Sequence, residues 1–301
     1  MTTSKNTLHP RNRHKGAYDF SSLLQACPEL EPYVHMGKSE RLTIDFSDPE
    51  AVKYLNKALL IKHYGITYWD IPPGYLCPAV PSRADYLHYA ADLLADPHTG
   101  DIPRGKSVRV LDIGVGANGV YPIIGHRQYG WQFVGSDIDP IAVKAASAIV
   151  EANKLLRGGI EIRSQKNPQN LFKGIVRSGE HFDLCISNPP YFHSEEQAAR
   201  VAGEKWKKLG LKAADNNFRN FGGQANELET KGGEVGFIQR MITESQEFAD
   251  SFQWFTTLVS NRNSWPAVRK ALKRVGAAEV KEMVSERGQK MTRIIAWHFR
   301  K

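Results

Sequence analysis

Cysteine is scarce in this chain. Cys27, Cys77 and Cys185 lie far apart and form no Cys-x-x-Cys pair, which excludes a disulfide framework and a cysteine-based zinc site and fits a reducing cytoplasm. Long apolar runs are missing as well. The opening residues MTTSKNTLHPRNRHKG have no apolar signal core, and no later stretch offers the run of about 18 apolar residues that a membrane span requires. The expectation is a soluble, cytoplasmic protein without a membrane partner or a metal. Internal repeats and low-complexity tracts are also absent.

What the chain does have is length and positive charge. Its 301 residues, 41% of them hydrophobic, suffice for one full α/β core and an appendage. Forty Lys and Arg against 32 Asp and Glu give a formal charge of +8, which favours attraction to a polyanion such as nucleic acid. Charge alone does not establish that partner and gains weight only beside a motif.

The basic residues begin at once. Lys5, His9, Arg11, Arg13, His14 and Lys15 stand in a segment with almost no apolar content, read as a mobile basic arm with a phosphate-binding role. At Ser47-Asp48-Pro49-Glu50 a capping box with Pro at the first helical position opens a periodic run over Ala51 to Tyr64. The loop IPPGYLCPAVP follows, and then a second helical pattern, RADYLHYAADLLAD. These two helices are read as a cap ahead of the main fold.

From Val108 onward, strands alternate with helices. VRVLDI, WQFVGSD, IEIRS, FDLCIS and FQWFTTLVS are short runs of β-forming residues, separated by helical stretches such as Ile141 to Leu156 and Val235 to Phe248. That order predicts a mostly parallel, doubly wound sheet. At the end, VKEMVSERGQKMTRIIAWHF reads as an antiparallel hairpin turning at Arg287-Gly288-Gln289. Residues 1–40 are thus assigned to a basic, partly flexible arm, 41–100 to a helical cap and 101–301 to the core. The polar stretch 192–233 mixes Lys205, Lys207, Lys208, Lys212 and Arg219 with Trp206, Phe218 and Phe221. Cations beside aromatics suit phosphate contacts and base stacking, so it is read as a substrate loop.

Two patterns carry chemistry. Gly114, Gly116 and Gly119 form G-x-G-x-x-G directly after the first core strand, where glycines let a nucleotide-like cofactor approach the backbone at a helix start. Asp112 precedes that turn, and its bland role would be to hold nearby loop amides. The second strand ends at Asp137, placed to accept hydrogen bonds from both hydroxyls of a cofactor ribose, while Asp139 caps the next helix ahead of Pro140. Up to this point NAD and S-adenosylmethionine fit equally well.

The second pattern separates them. Asn188-Pro189-Pro190-Tyr191 ends the fourth core strand, on the same sheet edge as the glycine turn. The lone pair of an exocyclic amine on a nucleobase is delocalised into the ring, so methyl transfer must localise it toward the sulfonium carbon. The Asn188 side-chain oxygen and the Pro189 carbonyl can accept the two amine hydrogens and hold the nitrogen in line. Paired prolines stiffen the loop, and Tyr191 can stack on the base. A base within structured nucleic acid would have to be flipped out to reach it.

Together LDIGVGANGVYPIIG, SDID, NPPYF, GGEVGFIQRMITES and KMTRIIAWHF resemble the ribosomal RNA large subunit methyltransferase F family, relatives of the eukaryotic methyltransferase-like adenine-N6 enzymes. The resemblance extends from about Asp45 to Phe299. It implies an α/β, Rossmann-like class I methyltransferase core, with a seven-stranded sheet and a C-terminal antiparallel hairpin. It implies S-adenosylmethionine as co-substrate and an adenine of 23S rRNA, free or in a large-subunit assembly intermediate, as acceptor; a monomer is expected. Carried over, Asp112, Gly114, Gly116 and Asp137 would border the cofactor and Asn188, Pro189, Pro190 and Tyr191 the adenine. Arg83, in the matching Val80-Pro81-Ser82-Arg83 segment, would reach the cofactor carboxylate. Many nucleic-acid N6 methyltransferases carry Asp where this chain has Asn188, and Asn also serves enzymes that methylate glutamine amides in proteins. Protein-glutamine methylation, and an idle RNA-binding protein of the same fold, therefore stay open at the level of the tetrapeptide.

Overall fold

The computed structural model describes residues 8–37, 39–190, 232–287 and 290–300. Tyr191 and residues 192–231 of the expected substrate loop, like Lys5 of the arm, lie outside the described residues. Along the described chain the elements run α1 (Phe20–Ala26), β1 (Val34–Met36), β2 (Leu42–Ile44), α2 (Pro49–Tyr64) and α3 (Val80–Asp92). They continue with β3 (Arg109–Ile113), α4 (Val120–Tyr129), β4 (Gln132–Asp137), α5 (Pro140–Ala152), β5 (Ile160–Ser164) and β6 (Phe182–Ser187). Last come α6 (Gly233–Ser245), β7 (Phe252–Val259), α7 (Trp265–Arg274), β8 (Glu279–Arg287) and β9 (Lys290–His298).

Seven strands form one sheet in the order β5-β4-β3-β6-β7-β9-β8. The first five are parallel, and β9 inserts antiparallel between β7 and β8. This is the mostly parallel sheet with a terminal hairpin that the strand and turn pattern predicts. Helix and strand starts follow local chemistry. Asp139 caps α5 by accepting from the Ile141 amide at 2.8 Å, as its place before Pro140 requires. At α2 the cap is Asp48, which accepts from the Glu50 amide. Ser47 donates to Asp45 instead, so the predicted helix start holds while the capping side chain moves by one residue.

One apolar cluster joins α1–α4 to the sheet through residues such as Leu59, Leu87, Ile124, Leu184 and Ile294. A second, around Phe172, Phe237, Met241, Phe255, Leu272 and Trp297, packs α6 and α7 on it. The sequence pattern does not predict the small β1–β2 pair or α1.

The arm departs from expectation most. Residues 8–16 lie against α2 and α3, with His9, Asn12 and His14 buried. The His9 amide and Asn12 side chain donate to Asp85, Arg11 reaches Asp92, and His14 pairs with the Tyr64 hydroxyl at 2.8 Å. Polar hydrogen bonds fasten this segment, so its low apolar content is a poor guide to its order. No helix among the described residues is long and apolar enough to cross a membrane.

Candidate active site

The parallel strands bring the two sequence motifs onto one edge. Ile113, Ser136 and Ser187 occupy a single row across β4, β3 and β6, so Gly114, Asp137 and Asn188 emerge side by side just beyond it. Neighbouring strands lie about 4.8 Å apart, which sets Asp137 and Asn188 at roughly 10 Å across the intervening glycine turn. A cavity opens there, lined by Arg83, Gly114, Gly116, Asp137, Asn188 and Pro190.

The glycine turn is built for close approach. Gly114 has φ +77° and Gly116 φ +65°, a region that side chains with a Cβ seldom adopt. A Cβ on Gly114 would meet no atom within 4 Å, so the space in front of it is open to a ligand. The Gly114 and Val115 amides donate to the Ser136 carbonyl at 2.9 and 3.0 Å, which folds the turn back onto β4.

Asp137 is held from both sides. One carboxylate oxygen accepts from the Gly116 amide at 2.9 Å and the other from the Asp139 amide at 3.0 Å. Burial raises its pKa, and those two amide bonds work against the rise. Each oxygen retains a further lone pair for a hydroxyl donor, as a ribose contact needs. Asp112 sits behind the turn, fully buried, and neither oxygen has a hydrogen-bond partner among the described residues. Its carboxyl pKa is pushed well up, first by burial and then by the charge of Asp137, with Arg83 acting in the opposite sense. It does not hold the loop amides. The open glycine turn beside Asp137, whose oxygens each keep a lone pair for a ribose hydroxyl, fits a nucleoside-bearing cofactor such as S-adenosylmethionine.

Arg83 lies in the first turn of α3, half-buried, with its guanidinium 5.7 Å above the Tyr121 ring. Packing on an aromatic face inside the cavity replaces the solvated helix-start position that its sequence context allows.

A buried chain of hydroxyls supports the tetrapeptide. The Ser187 amide donates to the Tyr86 hydroxyl at 3.2 Å, which lies 2.7 Å from the Thr256 hydroxyl; Thr256 in turn donates to the Cys185 carbonyl. Ser187 Oγ donates to the Ile113 carbonyl at 3.0 Å and ties the root of the tetrapeptide to that of the glycine turn. Burial drives the Tyr86 pKa far up, which keeps the phenol neutral. Pro189 is buried, while Asn188 and Pro190 are half-buried on the cavity wall.

Sequence reasoning missed Tyr86 and the far wall. That wall comprises Asn170 and Leu171 after β5, and Phe237 and Arg240 on α6. Glu244, one turn beyond Arg240, accepts from the amides of Leu171, Phe172 and Lys173 at 2.7 to 3.0 Å. The spacing of Phe237, Arg240 and Glu244 places them along one helix face, and all three lie in the GGEVGFIQRMITES motif, which by itself does not say that they line the cavity. Among the described residues no cluster of His, Cys, Asp and Glu could hold a metal ion, and the three cysteines are free and buried.

Comparisons with known proteins point the same way. A family model described as RNA methyltransferase matches residues 2–301. A ribosomal RNA large subunit methyltransferase F of Pseudomonas putida is 49% identical over 99% of this chain and 95% of its own length. The protein of that name from Aeromonas salmonicida is 51% identical over 98% and 92%. Among solved structures, the human METTL16 catalytic domain in complex with a MAT2A 3'UTR hairpin superposes with a TM-score of 0.81 at 27% identity, covering 98% of this chain and 96% of that one. The N-terminal domain of human METTL16 in complex with SAH gives 0.76 at 25% identity, covering 98% and 99%.

Proposed function

The chain belongs to the RNA methyltransferase family whose model spans residues 2–301 and uses S-adenosylmethionine as co-substrate, and from that premise we propose that it methylates the N6 amine of an adenine in 23S rRNA. The observation that supports this reading most is the side-by-side emergence of Gly114, Asp137 and Asn188 from three adjacent strands. Donor and acceptor sites then share one cavity, as direct transfer between two substrates demands.

In this reading Gly114 and Gly116 admit the cofactor, Asp137 takes its ribose and Arg83 its carboxylate, with Asp112 behind the turn that they border. Asn188 Oδ1 and the Pro189 carbonyl accept the two amine hydrogens of adenine, so the nitrogen lone pair points at the methyl carbon. As the N–C bond forms, the C–S bond breaks and its electron pair goes to sulfur; the extra amine proton then leaves to water. No side-chain base is required for the attack itself. The choice of rRNA rests on relatives named ribosomal RNA large subunit methyltransferase F at about 49% identity over nearly full length, and on the net charge of +8. The cytoplasm, where that RNA is made in bacteria, is the matching compartment.

Asn188→Ala tests the assignment. Transfer to RNA is expected to fall by about 100-fold or more, the scale seen when a transition-state hydrogen-bond partner is removed, with S-adenosylhomocysteine affinity kept within about twofold. An unchanged transfer rate would remove Asn188 from the chemistry.

A further inference from the structure

We infer that the segment from residue 8 to 16 is a strap that serves the cofactor site, with Asn12 positioning Arg83 through the first turn of α3. The inference rests on the assignment of Arg83 to the cofactor. Helix α3 starts at Val80 after Ala79, which offers no side-chain cap, and Pro81 supplies no amide of its own. A start of that kind frays unless something outside the helix holds it.

Asn56 Oδ1 takes the first amide of the helix, accepting from Val80 N at 3.1 Å, and Asn12 ties the same turn down from the strap. Its side-chain NH₂ donates to the Pro81 carbonyl at 2.9 Å and to Asp85 Oδ1 at 2.8 Å, which bridges the first turn to the second across Arg83. The His9 amide donates to the same carboxylate oxygen at 2.8 Å. On the other side of the Asn12 amide, Oδ1 accepts from the His14 backbone at 3.0 Å, so the strap locks the orientation of the group that locks the helix. Asn12 is 3% exposed and Asp85 2%. Farther along, Arg11 donates to the His88 carbonyl and pairs with Asp92, so the strap follows α3 to its end.

The inward residues of the strap are polar, and Asn12 is not among the residues that line the cavity. A side chain that merely filled space there would have no reason to bridge two successive turns. With Arg83 only two residues past Pro81, a small shift of the first turn carries the guanidinium away from the cofactor carboxylate, and misplacement by about 1 Å is enough to matter.

The test is a double-mutant cycle on the full chain, with S-adenosylhomocysteine binding measured by calorimetry for wild type, Asn12→Ala, Arg83→Ala and the double variant. Arg83→Ala should weaken binding strongly and Asn12→Ala about tenfold, and the double variant should be no weaker than Arg83→Ala. In turnover, Asn12→Ala should raise KM for S-adenosylmethionine and leave kcat at saturation unchanged. A general loss of folding would instead lower active-site concentration and kcat. If the alanine variant fails to fold by circular dichroism, Asn12→Ser, which keeps a donor at the site, replaces it in the same cycle. An Asn12 variant that binds like wild type, or whose loss adds fully to that of Arg83→Ala, overturns the inference alone. Unaltered binding by Arg83→Ala overturns both it and the cofactor role of Arg83.

Discussion

At the scale of single residues, the site is built on groups whose charged form is disfavoured by burial. Asp112 is the clearest. Its folded-state pKa lies well above the ordinary 3.8 because the ionised form is buried without a partner. The sign follows directly: the folded state prefers the neutral acid, so the penalty is absent below 3.8 and grows as pH rises toward the folded-state value. Asp112→Asn should therefore raise Tm in the absence of ligand, more at pH 8 than at pH 4, by differential scanning fluorimetry. An equal loss of Tm at both pH values would contradict that account. Tyr86 has the opposite character, being fully satisfied in a buried chain from Ser187 to Cys185. Tyr86→Phe leaves the Ser187 amide buried and unpaired, a cost of about 1–3 kcal/mol. We expect a lower Tm together with a lower kcat, because the amide lies one residue before Asn188. A stability loss with kcat intact would separate this chain of hydroxyls from catalysis.

At the scale of elements, α6 works as a brace for the cavity wall. Glu244 gathers three consecutive backbone amides at residues 171–173, and Glu234, at the other end of the helix, holds Ser260, Asn261 and Ser264 after β7. Glu244→Ala should loosen the wall that contains Asn170 and Leu171 and weaken S-adenosylhomocysteine binding about 3- to 10-fold, since the part-buried Leu171 and Phe172 amides lose their acceptor. Calorimetry reads this directly, and unchanged affinity would show that the wall holds itself. The core strands were legible because each is a compact run of β-formers bounded by turn residues; FDLCIS and IEIRS match β6 and β5 residue for residue. Glu244 and Glu234 were not legible, because carboxylates that reach loop groups 71 to 73 and 26 to 30 residues away leave no local pattern. The strap at residues 8–16 was misread for a related reason: hydropathy registers apolar burial, and this segment is fixed by side-chain hydrogen bonds to α2 and α3.

At the scale of the whole molecule, one sheet edge gathers everything the chemistry needs, and the flanking layers hold it there. One apolar cluster fixes α3, with Arg83 and Tyr86, on the sheet; the other fixes α6, with Phe237 and Arg240. The methyl donor and the planar nitrogen acceptor could be read from G-x-G-x-x-G, Asp137 and NPPY. The identity of the macromolecule bearing that nitrogen could not, because Asn188 suits a glutamine amide as well as an adenine amine; membership of an RNA methyltransferase family supplies it. The most direct measurement is transfer of labelled methyl from S-adenosylmethionine to protein-free 23S rRNA, to ribosomal precursors and to intact ribosomes, followed by digestion to nucleosides. The account predicts label in N6-methyladenosine from at least one of the three. Label in none of them, or label recovered only in glutamine of a protein, would contradict it.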